Sequence, residues 1–141
     1  MKQKQLTSSL EDYLEVISNH LKRHNKVRAI DISRELNVSR ASVSEALKRL
    51  AEKGLINYGR YDIITITDEG EKEAQKVIEK HRLLQEFFKD ILGLDEIEAT
   101  ENACKIEHVI SENVLNKLND YIKFNKKHPE FTKKFLNNTK D

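Results

Sequence analysis

Three residues close together in the chain carry donor atoms of three kinds. Cys104, Glu107 and His108 stand at i, i+3 and i+4. On a helix that spacing places them on one face. Thiolate, carboxylate and imidazole together suit a first-row divalent metal. Asp12 and Glu15, at i and i+3, form a second same-face pair, and His81 interrupts an apolar helical stripe. Each residue also has an ordinary reading. A lone cysteine packs as a small apolar group, an Asp–Glu pair can be a solvated face, and a histidine within a stripe can be a core residue with a backbone partner. Spacing alone leaves both readings open.

A second set of polar residues lies between these. Ser39, Arg40, Ser42 and Ser44 fall in the first turn of an expected helix and can approach base edges. Lys48, Arg49 and Arg60 can lie near phosphates, and Tyr61 sits with Arg60 at the tip of an expected hairpin. A solvated basic face or a protein–protein contact is the alternative. A catalytic reading is a further alternative. A glutamate beside a metal-bound water can act as a base, and Cys104 with His108 can form a nucleophile pair. The chain has no Gly-rich phosphate loop, no HExxH and little sheet on which to build a cleft, so an enzyme is not expected.

The elements that must position these residues follow from periodicity. Thr7 or Ser8 caps a helix with Leu10, Tyr13, Leu14, Ile17 and Leu21 on one face. A short helix spans about Ile30 to Leu36, Asn37-Val38 forms a tight connection, and Ser39 caps a helix running to about Lys53. Two β-prone runs flank Gly59-Arg60-Tyr61-Asp62 and predict a hairpin. Thr67 caps a helix from about Asp68 to Leu92. Further helices are expected over Asp95 to Ile110, from Ser111 through Ile122, and around Glu130 to Leu136. Helix, turn, helix, hairpin is the order of a winged helix-turn-helix.

Composition sets the frame. The 141 residues are 38% apolar and 35% charged, which supports a polar but foldable chain of one or two small domains. One cysteine excludes an intrachain disulfide and points to a reducing, cytoplasmic setting. No apolar run suits a membrane span, and Met1 to Ser9 contains no signal-peptide core. Net charge is only +1, but its distribution is uneven. Lys26 to Tyr61 holds eight basic residues against four acidic, a net of +4. Asp95 to Glu112 holds six acidic residues against Lys105 alone, a net of −5. A basic first half and an acidic second half imply two tasks.

Three stretches resemble the diphtheria toxin repressor/manganese transport regulator family. They are Ser9-Leu10-Glu11-Asp12-Tyr13-Leu14-Glu15, Lys80-His81-Arg82-Leu83-Leu84 and Ala103-Cys104-Lys105-Ile106-Glu107-His108-Val109-Ile110-Ser111. The resemblance covers nearly the whole chain and is most specific in the last stretch. It implies a mainly α fold: a winged helix-turn-helix over residues 1–70 and a helical metal-binding and dimerisation domain over 71–141. The length resembles members without a C-terminal SH3-like domain. The implied function is a metal-dependent repressor of metal-uptake genes, activated by Mn(2+) or Fe(2+), that binds a double-stranded DNA operator as a homodimer. By position the family's metal ligands fall on Asp12, Glu15, His81, Cys104, Glu107 and His108. Asp12 follows the manganese-responsive pattern and Cys104 the iron-responsive one. Gln85 and Thr100 stand where the iron type carries a carboxylate and a histidine, so that second site is incomplete. The competing readings are a winged-helix regulator gated by a small ligand or protein and, further off, a metal-dependent hydrolase.

Overall fold

The computed structural model describes residues 6–139. It forms two compact units, Met1–Val77 and Ile78–Asp141.

The first unit is a three-helix core with a small antiparallel wing. Helix α1 (Ser8–His24) begins where Thr7 Oγ1 accepts the Leu10 N–H at 3.2 Å and ends at Asn25 in a left-handed conformation. Its apolar face, with Leu14 and Ile17 fully buried, packs on α2 (Ala29–Leu36) and α3 (Arg40–Glu52). Ile32, Val43, Leu47 and Leu50 are also fully buried. Each such side chain contributes about 1.5–3 kcal/mol of burial free energy. The sequence places Leu14 and Ile17 on one face of α1, because helical periodicity is the signature of a one-sided core.

The connection between α2 and α3 is fixed by backbone geometry. Asn37 adopts φ 54°, a conformation that Asn tolerates well. The Asn37 and Val38 N–H groups both bond to the Ser33 carbonyl, and the Ser33 hydroxyl donates to the Val38 carbonyl at 2.6 Å. Ser39 Oγ then accepts the Ser42 N–H at 3.1 Å and starts α3.

The wing consists of β1 (Ile56–Tyr58) and β2 (Ile64–Ile66), paired in register Ile56↔Ile66, Asn57↔Thr65 and Tyr58↔Ile64. A 3-10 turn over Arg60–Asp62 joins them, with Tyr61 at φ 71° and Asp62 at φ 57°. Thr67 ties the wing to the following helix, α4 (Asp68–Glu86). Its hydroxyl accepts the Gly70 N–H and lies 2.7 Å from the Gly54 carbonyl oxygen, which it reaches as a donor.

In the second unit α4 continues into a single π-helical turn, Phe87–Ile91, where the periodicity predicts unbroken helix to Leu92. The wider turn shows in the Leu92 N–H bond to the Phe87 carbonyl, and Gly93 stops the segment at φ 78°. Leu83, Ile91 and Ile122 form a buried cluster against Phe87, Leu115 and Leu118. α5 spans Glu96–Ile106, α6 Glu112–Lys127 and α7 Pro129–Asn138. The expected helix from Asp95 to Ile110 therefore ends four residues early. A turn follows it, although Glu107 keeps helical dihedrals and its N–H bonds to the Ala103 carbonyl. Among the described residues no helix is long and apolar enough to cross a membrane.

Candidate functional site

The second unit gathers four of the six expected metal ligands. His81 comes from α4, Cys104 from α5, and Glu107 and His108 from the turn after α5. Ala99 and Ala103 are fully buried, so small side chains line the inner face of α5. Glu107 is 1% exposed. One of its oxygens lies 2.8 Å from His81 Nδ1 and the other 3.4 Å from His108 Nε2. Cys104 Sγ lies 3.6 Å from the same His81 nitrogen and is open to solvent.

A buried carboxylate is costly unless charge or hydrogen bonds compensate it. Here two imidazoles face it, and an exposed thiol stands beside one of them. This donor set of two nitrogens, a carboxylate and a sulfur matches the ligand preferences of a first-row divalent cation. The residues present therefore fit a metal.

Asp12 and Glu15 belong to the other unit. Both lie on α1, half-buried, on the same helical face.

At Gln85 and Thr100 the structure shows a neutral hydrogen bond. Gln85 Nε2 donates to Thr100 Oγ1 at 2.9 Å, and Thr100 Oγ1 in turn donates to the Glu96 carbonyl. An amide and a hydroxyl provide no anionic ligand, so this pair links α4 to α5 by hydrogen bonding alone.

In the first unit α3 presents Arg40, Ser42, Ser44, Lys48 and Arg49 to solvent, with Val43 and Leu47 turned inward. Ser39 and Ser42 are partly committed to the helix start, with their hydroxyls 2.9 Å apart. Arg49 pairs with Glu45 at 3.3 Å. This contact is exposed and worth little, so the guanidinium can exchange it for a phosphate. Tyr61 is 91% exposed at the tip of the wing. The side chain of Arg60 lies outside the described residues.

Sequence reasoning missed three supports. Ser33, whose hydroxyl closes the turn before α3, was marked only by its place ahead of Asn37-Val38. Gly70, a glycine inside the first turn of a strong helix, signals a close backbone approach. Glu71 accepts from Ser18 at 3.1 Å and from Gln75 at 2.7 Å and pairs with Lys22 at 3.1 Å, so it joins α4 to α1. Burial acts to raise its pKa, but the hydrogen bonds from Gln75, Lys22 and Ser18, with the Lys22 charge, outweigh this and leave it lowered.

Two family models match successive parts of the chain. Residues 5–63 match the model of the iron-dependent repressor N-terminal DNA-binding domain. Residues 67–136 match that of the iron-dependent repressor metal-binding and dimerisation domain. An HTH-type transcriptional regulator of Methanocaldococcus jannaschii is 38% identical over 114 residues, covering 80% of this chain and 91% of its own length. The HTH-type transcriptional regulator MntR of Lysinibacillus sphaericus is 30% identical over 128 residues, covering 91% of each chain.

Among solved structures, a manganese-dependent transcriptional repressor in complex with manganese superimposes with a TM-score of 0.75 at 30% identity, over 82% of this chain and 53% of its own. The IdeR structure from T. acidophilum gives 0.73 at 26% identity, over 86% and 56%. The chain spans about half the length of these solved chains. With both domain models matched in order, the chain belongs to the iron-dependent repressor family of metal-dependent, DNA-binding transcriptional regulators, a family of regulators and not of enzymes.

Proposed function

We propose that this protein is a cytoplasmic, metal-gated repressor that binds a DNA operator as a homodimer and controls genes of metal uptake. The observation that carries the reading is the buried Glu107 carboxylate held between His81 and His108, with the Cys104 thiol beside it. These four residues, together with Asp12 and Glu15 as the resemblance assigns them, are the proposed ligands of Mn(2+) or Fe(2+). When bound, a divalent cation supplies the positive charge that lets these acidic side chains be held together.

The protein's own residues do the rest. Asp12 and Glu15 ride on α1, against which α2 and α3 pack, so any constraint on α1 is passed to the reading helix through a rigid core. Without counter-charge, the carboxylates of Asp12, Glu15 and Glu107 repel one another and disfavour being brought together. Metal dependence then arises from differential affinity for the DNA-competent state.

On α3, Ser39, Arg40, Ser42 and Ser44 face base edges, while Lys48, Arg49 and the wing residues Arg60 and Tyr61 contact the backbone. We place the functional boundary at the start of α4, with residues 1–70 reading DNA and 71–141 binding metal and dimerising. Val114, Tyr121 and Phe124, all exposed on α6, are the proposed dimer contacts. Ile122, Leu118 and Phe87 serve the core of their own chain.

Replacing Glu107 or His108 with alanine tests the reading. The metal response of DNA binding is expected to disappear while the circular dichroism spectrum is retained. Variants that respond to metal like the parent would refute it.

A further inference from the structure

The last turns of α1 carry donors that have no part in the set above. His20 and His24 stand at i and i+4 on one helical face, with ring centroids 5.7 Å apart and planes inclined at 45°. Glu35, from α2, places a carboxylate oxygen 2.5 Å from His20 Nε2. All three residues belong to the DNA-reading unit.

The ring spacing agrees with the geometry of a shared ion. A metal–nitrogen bond of about 2.0–2.1 Å puts an imidazole centroid about 3.2 Å from the metal. At an angle between tetrahedral and trigonal, two such centroids lie about 5.2–5.5 Å apart. The observed spacing exceeds this by a few tenths of an ångström. As the structure stands the ligand atoms of the three residues do not all come within 4.8 Å of one another, so His24, which is exposed and has a soft second side-chain torsion, must turn its ring toward the shared point. The His20 side chain is 21% exposed and that of Glu35 42%, which leaves room for water to complete the coordination.

We propose that His20, His24 and Glu35 form a solvent-open site for a borderline divalent cation, zinc, nickel or copper(II), that clasps the end of α1 to the end of α2. Two imidazoles and one carboxylate favour these ions over manganese, which suits oxygen-rich sites. Arg23 and Arg34 stand next to His24 and Glu35 in sequence, and the nearby Lys22 is held in its ion pair with Glu71. The cation binds only the folded arrangement, so it stabilises the reading unit by mass action, independently of the gating ligands.

The test uses the full chain carrying His81→Gln, Cys104→Ser, Glu107→Gln and His108→Gln, which removes the four gating ligands of the second unit. Zn(II) is titrated in competition with a chromophoric chelator, anaerobically and with a non-thiol reductant. One equivalent is expected to bind and to raise the melting temperature. Adding His24→Gln, a change at an exposed helix end, is expected to weaken that equivalent by about tenfold or more and to abolish the thermal shift, with an unchanged circular dichroism spectrum. Adding Glu35→Gln instead should also weaken it. A His24→Gln chain that takes up zinc like its parent, or a parent that takes up none, overturns the proposal.

Discussion

Gly70 lies in the first turn of α4, where helix propensity and packing make opposite predictions for Gly70→Ala. Propensity alone favours alanine by about 1 kcal/mol. The structure opposes it: a Cβ at Gly70 would stand 1.9 Å from the Leu55 carbonyl oxygen and 2.9 Å from Ile66 Cγ1. Restoring an ordinary contact of 3.4 Å to that oxygen requires the two segments to part by about 1.5 Å. The same oxygen accepts the Thr67 N–H at 3.1 Å and, at 3.0 Å, shares the Thr67 hydroxyl proton with the Gly54 carbonyl. Losing both bonds costs about 1 kcal/mol each. Overpacking against buried Leu55 adds about 1–3 kcal/mol. The net expectation is a loss of about 2–4 kcal/mol, concentrated where the wing meets α4. Urea unfolding followed by circular dichroism reads the change directly. A Gly70→Ala protein as stable as the parent, or more so, would show that the contact between the wing and α4 is looser than described.

Other consequences follow from the same reasoning. Glu71 has a pKa lowered in the folded protein, so its stabilising contribution is present above the ordinary carboxylate value of 4.5 and is lost as pH falls through the lowered value. Urea unfolding at neutral and at strongly acidic pH should therefore show Glu71→Gln less stable than the parent at neutral pH and equal to it in acid. Lys48→Ala should weaken DNA binding alike for all sequences and reduce the slope of log affinity against log salt by about 1, as measured by fluorescence anisotropy across a salt series. Arg40→Ala should instead cost about 1–3 kcal/mol on the cognate site and little on random DNA, in the same assay.

The order of elements was legible because each rests on a local signal. The stripe of Leu10, Leu14 and Ile17 defines α1, Ser39 caps α3, and the hairpin flanks Gly59. What sequence left unread depends on contacts between distant residues. The π turn at Phe87–Ile91 breaks no propensity rule, since Phe and Ile are as acceptable in a wider turn as in a regular one. The end of α5 at Ile106 is equally silent, because Glu107 keeps helical dihedrals.

At the candidate site, the spacing of Cys104, Glu107 and His108 gave the shared face but not the burial of Glu107 at its centre. That burial comes from packing, with His81 approaching from α4. The i, i+4 pair of His20 and His24 was visible in the chain. Its third member, Glu35, was not, because only the packing of α2 on α1 brings it near.

The central claim is that metal occupancy sets DNA affinity. The direct measurement is the affinity of the full chain for a duplex selected from random sequence, titrated anaerobically at controlled free Mn(II), Fe(II) and Zn(II) so that Cys104 stays reduced. Mn(II) or Fe(II) is expected to tighten binding by about 5–150-fold, the usual range for coupling between two sites, and Glu107→Ala to remove this gain. Equal affinity with and without metal would contradict it.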